Sequence, residues 1–264
     1  MSSKPILITA PLTYSKRFAS ALEAHHLTPL AVPVIETVAA PDTADMLALL
    51  GGGFDGVDYI AFCSRCAVDS LGIALEQQGS PNGAAAALAK CALAAIGKDA
   101  DYVVERLGTR PSICPDEPSP SGIAAKLAES GCAEGRTIAV LAPCVEGFEE
   151  PDVVPRFIEQ LKGIGMRVVR VDAYVTRPVS EEALSTAVAA LSDGSVRGVA
   201  FTSGGEIAVL LRRSPACLAS VSVACFGPYT AGFAAKHGVT VACVAKDFSS
   251  FDGFAAAIEQ HYAS

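Results

Sequence analysis

One strand-to-helix phrase is written twice in this chain, about half its length apart. "VDYIAFCSRCAVDSL" occupies residues 57–71 and "RGVAFTSGGEIAVLL" occupies 197–211, so Phe62 and Ser64 stand in the places of Phe201 and Ser203. The repeat is wider than this phrase. "PILITAP" followed by "LTPLAVPVIET" resembles "TIAVLAP" followed by "GMRVVRVDAYVT", each reading as a strand, a helix and a second long strand. "AAIGKDADYVVERLG" (94–108) parallels "ACFGPYTAGFAAKHG" (224–238), and "PSPSGIAAKLAES" (118–130) parallels "DFSSFDGFAAAIEQ" (247–260). Five matching elements in the same order imply an internal duplication. Each copy has about 130 residues, an ordinary domain size.

Strand-like runs alternate with helix-like ones throughout. "ILITA" (6–10) leads to an amphipathic segment at 13–26, where Phe18 and Leu22 fall at helical spacing. "LAVPVIETV" (30–38), "CALAAIG" (91–97), "RTIAVLA" (136–142), "MRVVRVDAYV" (166–175), "VSVACFG" (221–227) and "VTVACV" (239–244) read as further strands. Such alternation predicts an α/β fold, with parallel sheets covered by helices on both faces. The long second strands, near 30–38 and 166–177, have no evident turn signal in the middle. They suit a pair of linkers between domains, with 37–172 inserted as a middle domain; a plain tandem arrangement is the alternative, and periodicity does not choose.

About half of the 264 residues are apolar, enough for one large core or two. The apolar runs are short and punctuated by Gly, Pro or charge, so no transmembrane span is expected. The opening "MSSKPILITAPL" does not read as a secretory signal. Nine cysteines without a disulfide-like spacing suit a reducing compartment, and a cytoplasmic location is expected. Cys63 and Cys66 have C-x-x-C spacing, but without a second pair or a nearby His they read as two ordinary thiols, not as zinc ligands or a redox pair. A net charge of −8 argues against nucleic-acid and anionic-membrane partners, though an anionic small molecule remains compatible. No G-x-G-x-x-G follows a strand, and "GGGFDG" (51–56) follows a helix-like segment and reads as a loop. P-loop, G-x-S-x-G and H-E-x-x-H patterns are absent from the sequence, so neither cofactor nor metal is expected.

In open α/β sheets, ligands bind beyond the carboxyl ends of the strands, where helix N-termini present free N–H groups. The repeated phrase ends there. Thr202 and Ser203 bring hydroxyls, and Gly204 and Gly205 let a backbone approach closely. Ser203 with Glu206 three residues on also reads as a capping box, whereas the first copy offers Ser64, Arg65 and Cys66. Gly227 and Pro228 read as a turn, with Tyr229 and Thr230 opening a helix. Thr9, Thr202, Ser203 and Thr230 thus converge on one sheet edge, a setting of hydroxyls and helix-start amides that suits carboxylates. Lys16, Arg17, Arg65, Lys98, Arg177 and Lys246 are nearby cations, each ordinarily a solvated surface charge. His25 and His26 fall at a helix end, where a charged cap is the plain explanation. Tyr174 ends the long strand in "RVDAYVTRP"; such a tyrosine ordinarily packs half-buried, but facing a cleft it would donate a proton to a leaving oxygen.

Taken together, "LITAP", the paired "AFCS" and "AFTS" strand ends, "YVTRP", "FGPYTAGFAAKHG" and the closing "SSFDGFAAAI" resemble the uroporphyrinogen-III synthase family, in order and over nearly the whole chain. The resemblance implies two flavodoxin-like domains joined by a two-stranded hinge: 1–36 with 174–264 as one discontinuous domain, and 37–173 inserted as the other. It implies a cofactor-free lyase of haem biosynthesis that closes hydroxymethylbilane with loss of water and inversion of the last pyrrole ring. Its tyrosine falls on Tyr174 as the catalytic residue. Substrate contacts fall on Thr9, Ser64, Arg65, Lys98, Thr202, Ser203, Gly204, Gly227, Pro228, Tyr229 and Thr230, in a cleft that holds eight carboxylates. A monomer is expected. Three positions depart from the family pattern: Ala10 where an Arg is usual, Cys63 where a Thr is commoner, and Ala100 where a Thr is common. A two-lobed intracellular binder of a carboxylate-rich molecule, without catalysis, is the alternative.

Overall fold

The computed structural model describes residues 4–79, 83–97 and 99–263. The chain opens with β1 (Ile6–Ile8), α1 (Leu12–Ala24), β2 (Pro29–Ala31) and β3 (Ile35–Ala39). Then come α2 (Ala44–Gly51), β4 (Tyr59–Phe62), α3 (Arg65–Gln77), α4 (Gly83–Ala87), β5 (Ala92–Ala95), α5 (Asp99–Leu107) and α6 (Pro120–Glu129). β6 (Thr137–Val145), α7 (Val153–Gly163), β7 (Arg167–Pro178), α8 (Glu181–Ser192) and β8 (Gly198–Phe201) follow. α9 (Gly204–Arg213), β9 (Ser222–Cys225), α10 (Pro228–Lys236), β10 (Cys243–Val244) and α11 (Phe251–Ala263) complete it.

Two five-stranded sheets result, ordered β10-β9-β8-β1-β2 and β3-β7-β6-β4-β5. In the first, β1 lies parallel between β2 and β8, and β8 lies parallel to β9. Counted in their own order of entry these strands run 2-1-3-4-5, the flavodoxin-like order of a doubly wound sheet. The second sheet repeats it as β7-β6-β4-β5, with an isolated parallel bridge from Ala94 to Ile113 at the place of β10, and with β3 added on the far edge. The duplicated phrase therefore has a structural meaning. β4 pairs with β6 and β5 as β8 pairs with β1 and β9, so Phe62 stands opposite Ala95 as Phe201 stands opposite Cys225.

The described residues divide into two units. One comprises Met1–Glu36, Val145–Pro151 and Thr176–Ser264, and the other comprises Thr37–Cys144 and Asp152–Val175. In each unit the sheet is buried on both faces, which is why its strands are apolar at consecutive positions. Leu7, Val199, Phe201 and Val223 pack on one face of the first sheet, and Ile6, Ile8, Ala200 and Ala224 on the other. The helix faces complete these layers: Phe18 of α1 stacks on Phe254 of α11 at 4.8 Å between ring centroids. In the second unit Ile60, Phe62, Leu93 and Leu141 face one way, while Ala61, Ala94, Ile138 and Val140 face the other.

Two elements differ from expectation. "LAVPVIETV" is not one strand but two, β2 and β3, which belong to different sheets. Pro33, which has no N–H for the ladder, sits at the break. The stretch 239–244 pairs only at Cys243 and Val244.

Candidate active site

Both sheets end their central strands at short polar segments, and each segment starts a helix. In the first unit β8 ends at Phe201, and Thr202 and Ser203 follow. Ser203 is the N-cap of α9 in extended conformation, but its hydroxyl makes no bond to the first-turn amides. It donates instead to Oε1 of Glu206 at 3.0 Å. The Thr202 hydroxyl donates to the same oxygen at 2.6 Å and the Thr202 N–H at 3.1 Å. From the end of β1, Thr9 donates to Oε2 at 2.6 Å. Glu206 is fully buried, and so is Thr9. Burial raises the Glu206 carboxyl above the ordinary carboxylate value, and the hydrogen bonds from Thr202, Thr9 and Ser203 hold it partly down.

This revises the sequence reading of those hydroxyls. The expected cradle for a carboxylate exists, and the carboxylate in it is the chain's own. Ser-x-x-Glu spacing was the only local signal for Glu206; its bond to Thr9, from the other end of the chain, had none. Thr9 is enclosed and does not face solvent, whereas Thr202 and Ser203 are half-buried.

The neighbouring helix start is built by close approach. Gly227, extended at φ −167°, is the N-cap of α10, with Pro228 at the first helical position and Tyr229 and Thr230 next. A Cβ on Gly227 would lie 3.1 Å from the Phe248 side chain, and one on Gly204 would lie 2.7 Å from the Phe233 ring. Glycine lets these helix starts sit tight against their packing aromatics. Thr230 is buried and is not a cap; its hydroxyl donates to the Thr202 carbonyl at 3.3 Å.

In the second unit the equivalent serine has a different task. Ser64 caps α3 by accepting from the Ala67 N–H at 3.2 Å. Arg65 donates from Nε to Asp99 at 2.8 Å, and its guanidinium lies 4.8 Å above the Tyr102 ring. Tyr102 donates to Asp69 at 2.6 Å, and Arg106 lies 3.7 Å from Asp69 and donates to Glu76 at 2.5 Å. Arg65, expected as a substrate cation, is thus engaged in a chain of ion pairs joining α3 to α5. Burial, then Asp69, pushes the Tyr102 phenol up to about 12. Burial also pushes both Cys63 and Cys66 up to about 12, so neither is a thiolate near neutral pH. Lys98 lies outside the described residues. Ala100 is buried in α5.

Tyr174 is buried in β7, in the layer with Val171, Ala173 and Leu141, and at 7% exposure it is more enclosed than a half-wet strand tyrosine. His25 ends α1 and is held from α11 by Glu259 at 2.8 Å and Asp252 at 3.1 Å, a tether and not a free cap. Arg177 pairs with Glu36 at 2.7 Å. A groove of about 500 Å³ lies along β10 and α11, lined by Cys243, Lys246, Gly253 and His261 among others; of the residues singled out in the sequence only the cation Lys246 lines it, and none of the expected substrate contacts does.

These features define a class: a duplicated α/β protein with two doubly wound sheets, whose strand ends carry hydroxyls and helix-start amides. Within that class the chain belongs to the uroporphyrinogen-III synthase family, since the family model described as uroporphyrinogen-III synthase HemD matches residues 16–255. Its fold is similar to that of a selenomethionine variant of uroporphyrinogen III synthase from the extremely thermophilic bacterium Thermus thermophilus. That match has a TM-score of 0.64 at 21% identity and covers 98% of this chain and 100% of that one. A wild-type crystal form of the Thermus thermophilus enzyme matches with a TM-score of 0.48 at 21% identity, covering 99% and 98%. No curated protein matches the sequence at a significant level.

Proposed function

We propose that this chain is a lyase of tetrapyrrole biosynthesis that converts hydroxymethylbilane into uroporphyrinogen III. Membership of the uroporphyrinogen-III synthase family over residues 16–255 carries the reading, because that span includes both copies of the duplicated strand-to-helix phrase. The hydroxymethyl C–O bond breaks and the hydroxyl leaves as water, giving an azafulvene. A spiro intermediate follows, and ring closure comes with the last pyrrole inverted. A hydroxymethylpyrrole ionises readily, so the enzyme's main task is to hold the chain for attack at the correct carbon, which is catalysis by positioning.

In this reading Tyr174 protonates the departing hydroxyl. The helix-start amides of α9 and α10, at Gly204 and at Tyr229 and Thr230, meet substrate carboxylates beside Pro228, which has no N–H to give, aided by the positive end of each helix dipole. Ser64 and its helix start give the second unit the same kind of end. Thr202 and Ser203 contact substrate as well. The domains are 1–36 with 174–264, and 37–173, joined by the long stretches near 30–38 and 166–177, and the short segment Val145–Pro151 groups with the first. The chain acts as a cytoplasmic monomer; among the described residues no helix is long and apolar enough to cross a membrane.

The test is to supply freshly generated hydroxymethylbilane, oxidise the products and separate the isomers. The expected result is the type III isomer. Only type I, which forms spontaneously, would sink the reading.

A further inference from the structure

The hydroxyls at the sheet end of the first unit have all spent their protons, and that determines what they offer outward. A serine or threonine hydroxyl has one proton to donate and two lone pairs to accept with. Thr202 and Ser203 give theirs to Oε1 of Glu206, Thr9 gives its proton to Oε2, and Thr230 donates to the Thr202 carbonyl. Glu206 and Thr9 are fully buried, Thr230 nearly so, and Thr202 and Ser203 are half-buried. What Thr202 and Ser203 present to a ligand is therefore lone pairs.

This polarity is the same whether Glu206 is ionised or not. The Thr202 N–H can only donate, and it too points at Oε1. A proton taken up by the carboxyl belongs on Oε2, towards Thr9, and Oε1 stays an acceptor in both states. The titratable neighbour that senses Glu206 is Cys225 at the end of β9, whose thiol is pushed up to about 12 by burial first and by Glu206 next, and which stays neutral.

We propose that Glu206 is a positioning residue that turns the Thr202 and Ser203 hydroxyls into acceptors, so that this sheet end takes pyrrole N–H groups. Carboxylates are left to the helix-start amides. The inference rests on the function proposed above, which supplies a ligand carrying both groups. A carboxylate brought against these lone pairs would set acceptor against acceptor, whereas a pyrrole N–H completes the hydrogen bonds.

The test titrates two probes calorimetrically into the full chain: a synthetic dipyrromethane tetracarboxylate, which carries N–H groups, and benzenehexacarboxylate, which carries none. E206Q keeps an acceptor at the Oε1 position and donates to Thr9, so both probes should stay within about threefold of wild type. E206M removes the acceptor and frees the hydroxyl protons. It should weaken the dipyrromethane about tenfold or more while leaving benzenehexacarboxylate unchanged or tighter, the size expected for one hydrogen bond. With hydroxymethylbilane, E206M should raise KM by a similar factor with kcat little changed. T202V, which removes the Thr202 lone pairs and one donor to Oε1 but leaves the Thr202 N–H and Ser203 donors on the carboxyl, should weaken the dipyrromethane alone and decides the matter if E206M does not fold.

Equal weakening of both probes by T202V or E206M, or a loss in E206Q matching that in E206M, would overturn the proposal, as would a wild-type chain that does not bind the dipyrromethane. Wild-type chain that discriminates the probes in this way but yields only type I isomer would sink the catalytic reading and leave the acceptor edge standing. Type III product without any dependence on N–H groups would do the reverse.

Discussion

Thr9 and Glu206 stand 197 positions apart in the chain and share a 2.6 Å hydrogen bond in the interior of one unit. The bond ties the end of β1 to the first turn of α9, alongside the β1–β8 ladder that ends at Ile8 and Ala200. Thr9→Val keeps the shape of the side chain but removes the only described donor to Oε2, leaving a buried carboxyl oxygen unmatched. Leaving such a group unsatisfied costs about 1–3 kcal/mol, more when the group is charged. Urea unfolding should show the midpoint falling with an unchanged slope, and Thr9→Ser should recover most of the loss. A Thr9→Val chain as stable as wild type would mean that the bond contributes nothing net.

Glu206 should also give the protein a pH dependence opposite to that of its surface carboxylates. Burial holds its carboxyl above the ordinary value of 4.5 in the folded chain. A group raised on folding contributes stability that is complete below its unfolded value and is lost as pH rises through its folded value. Asp58, lowered by the Thr137 N–H and then by Arg136, works in the other direction, as does Glu76 beside Arg106. The comparison must therefore be a difference. Wild type should lose stability relative to Glu206→Gln as pH rises from about 4 towards neutrality. A constant difference would place the folded and unfolded values together and refute the shift.

How far the sequence carried depends on how local each feature is. Phe62 and Phe201, each the last residue of a short apolar strand, announce two copies of one sheet because the pattern lies within fifteen residues. The strand ends followed from it, since a doubly wound order places them together. The occupant of the unit's polar pocket did not, because the Thr9 partner of Glu206 comes from β1 and only the folded register of β1 with β8 brings the two together. The partner of Arg65 is hidden in the sequence for the same reason: Asp99 starts a different helix, 34 positions on. Pro33, by contrast, is a local signal: it lies between β2 and β3 and divides "LAVPVIETV" into two strands.

Tyr174→Phe removes one oxygen from a buried position in β7 and keeps the ring that packs with Val171 and Leu141. If Tyr174 protonates the departing hydroxyl, turnover should fall by ~10-fold or more, within the usual range for loss of a general acid. The fraction of type I product should rise as the spontaneous route takes over. An unchanged rate would remove Tyr174 from the mechanism and leave it as packing.

His25 provides a second titration, at the seam between α1 and α11. Its two ring nitrogens meet Glu259 at 2.8 Å and Asp252 at 3.1 Å, which only a doubly protonated ring satisfies as a donor on both sides. The hydrogen bond to Glu259 raises His25 above its ordinary 6.5; burial opposes this, and Asp252 adds to it. The imidazolium is thus favoured by folding. Its stabilisation is complete below that ordinary value and is lost as pH climbs through the folded one. His25→Gln should flatten the fall in melting temperature between about pH 6 and pH 9, with little effect on stability at the alkaline end. Because both carboxylates are partly exposed, added salt should shrink the wild-type effect. A variant that loses stability equally at both ends of the range would show that the ring acts by packing and not by charge.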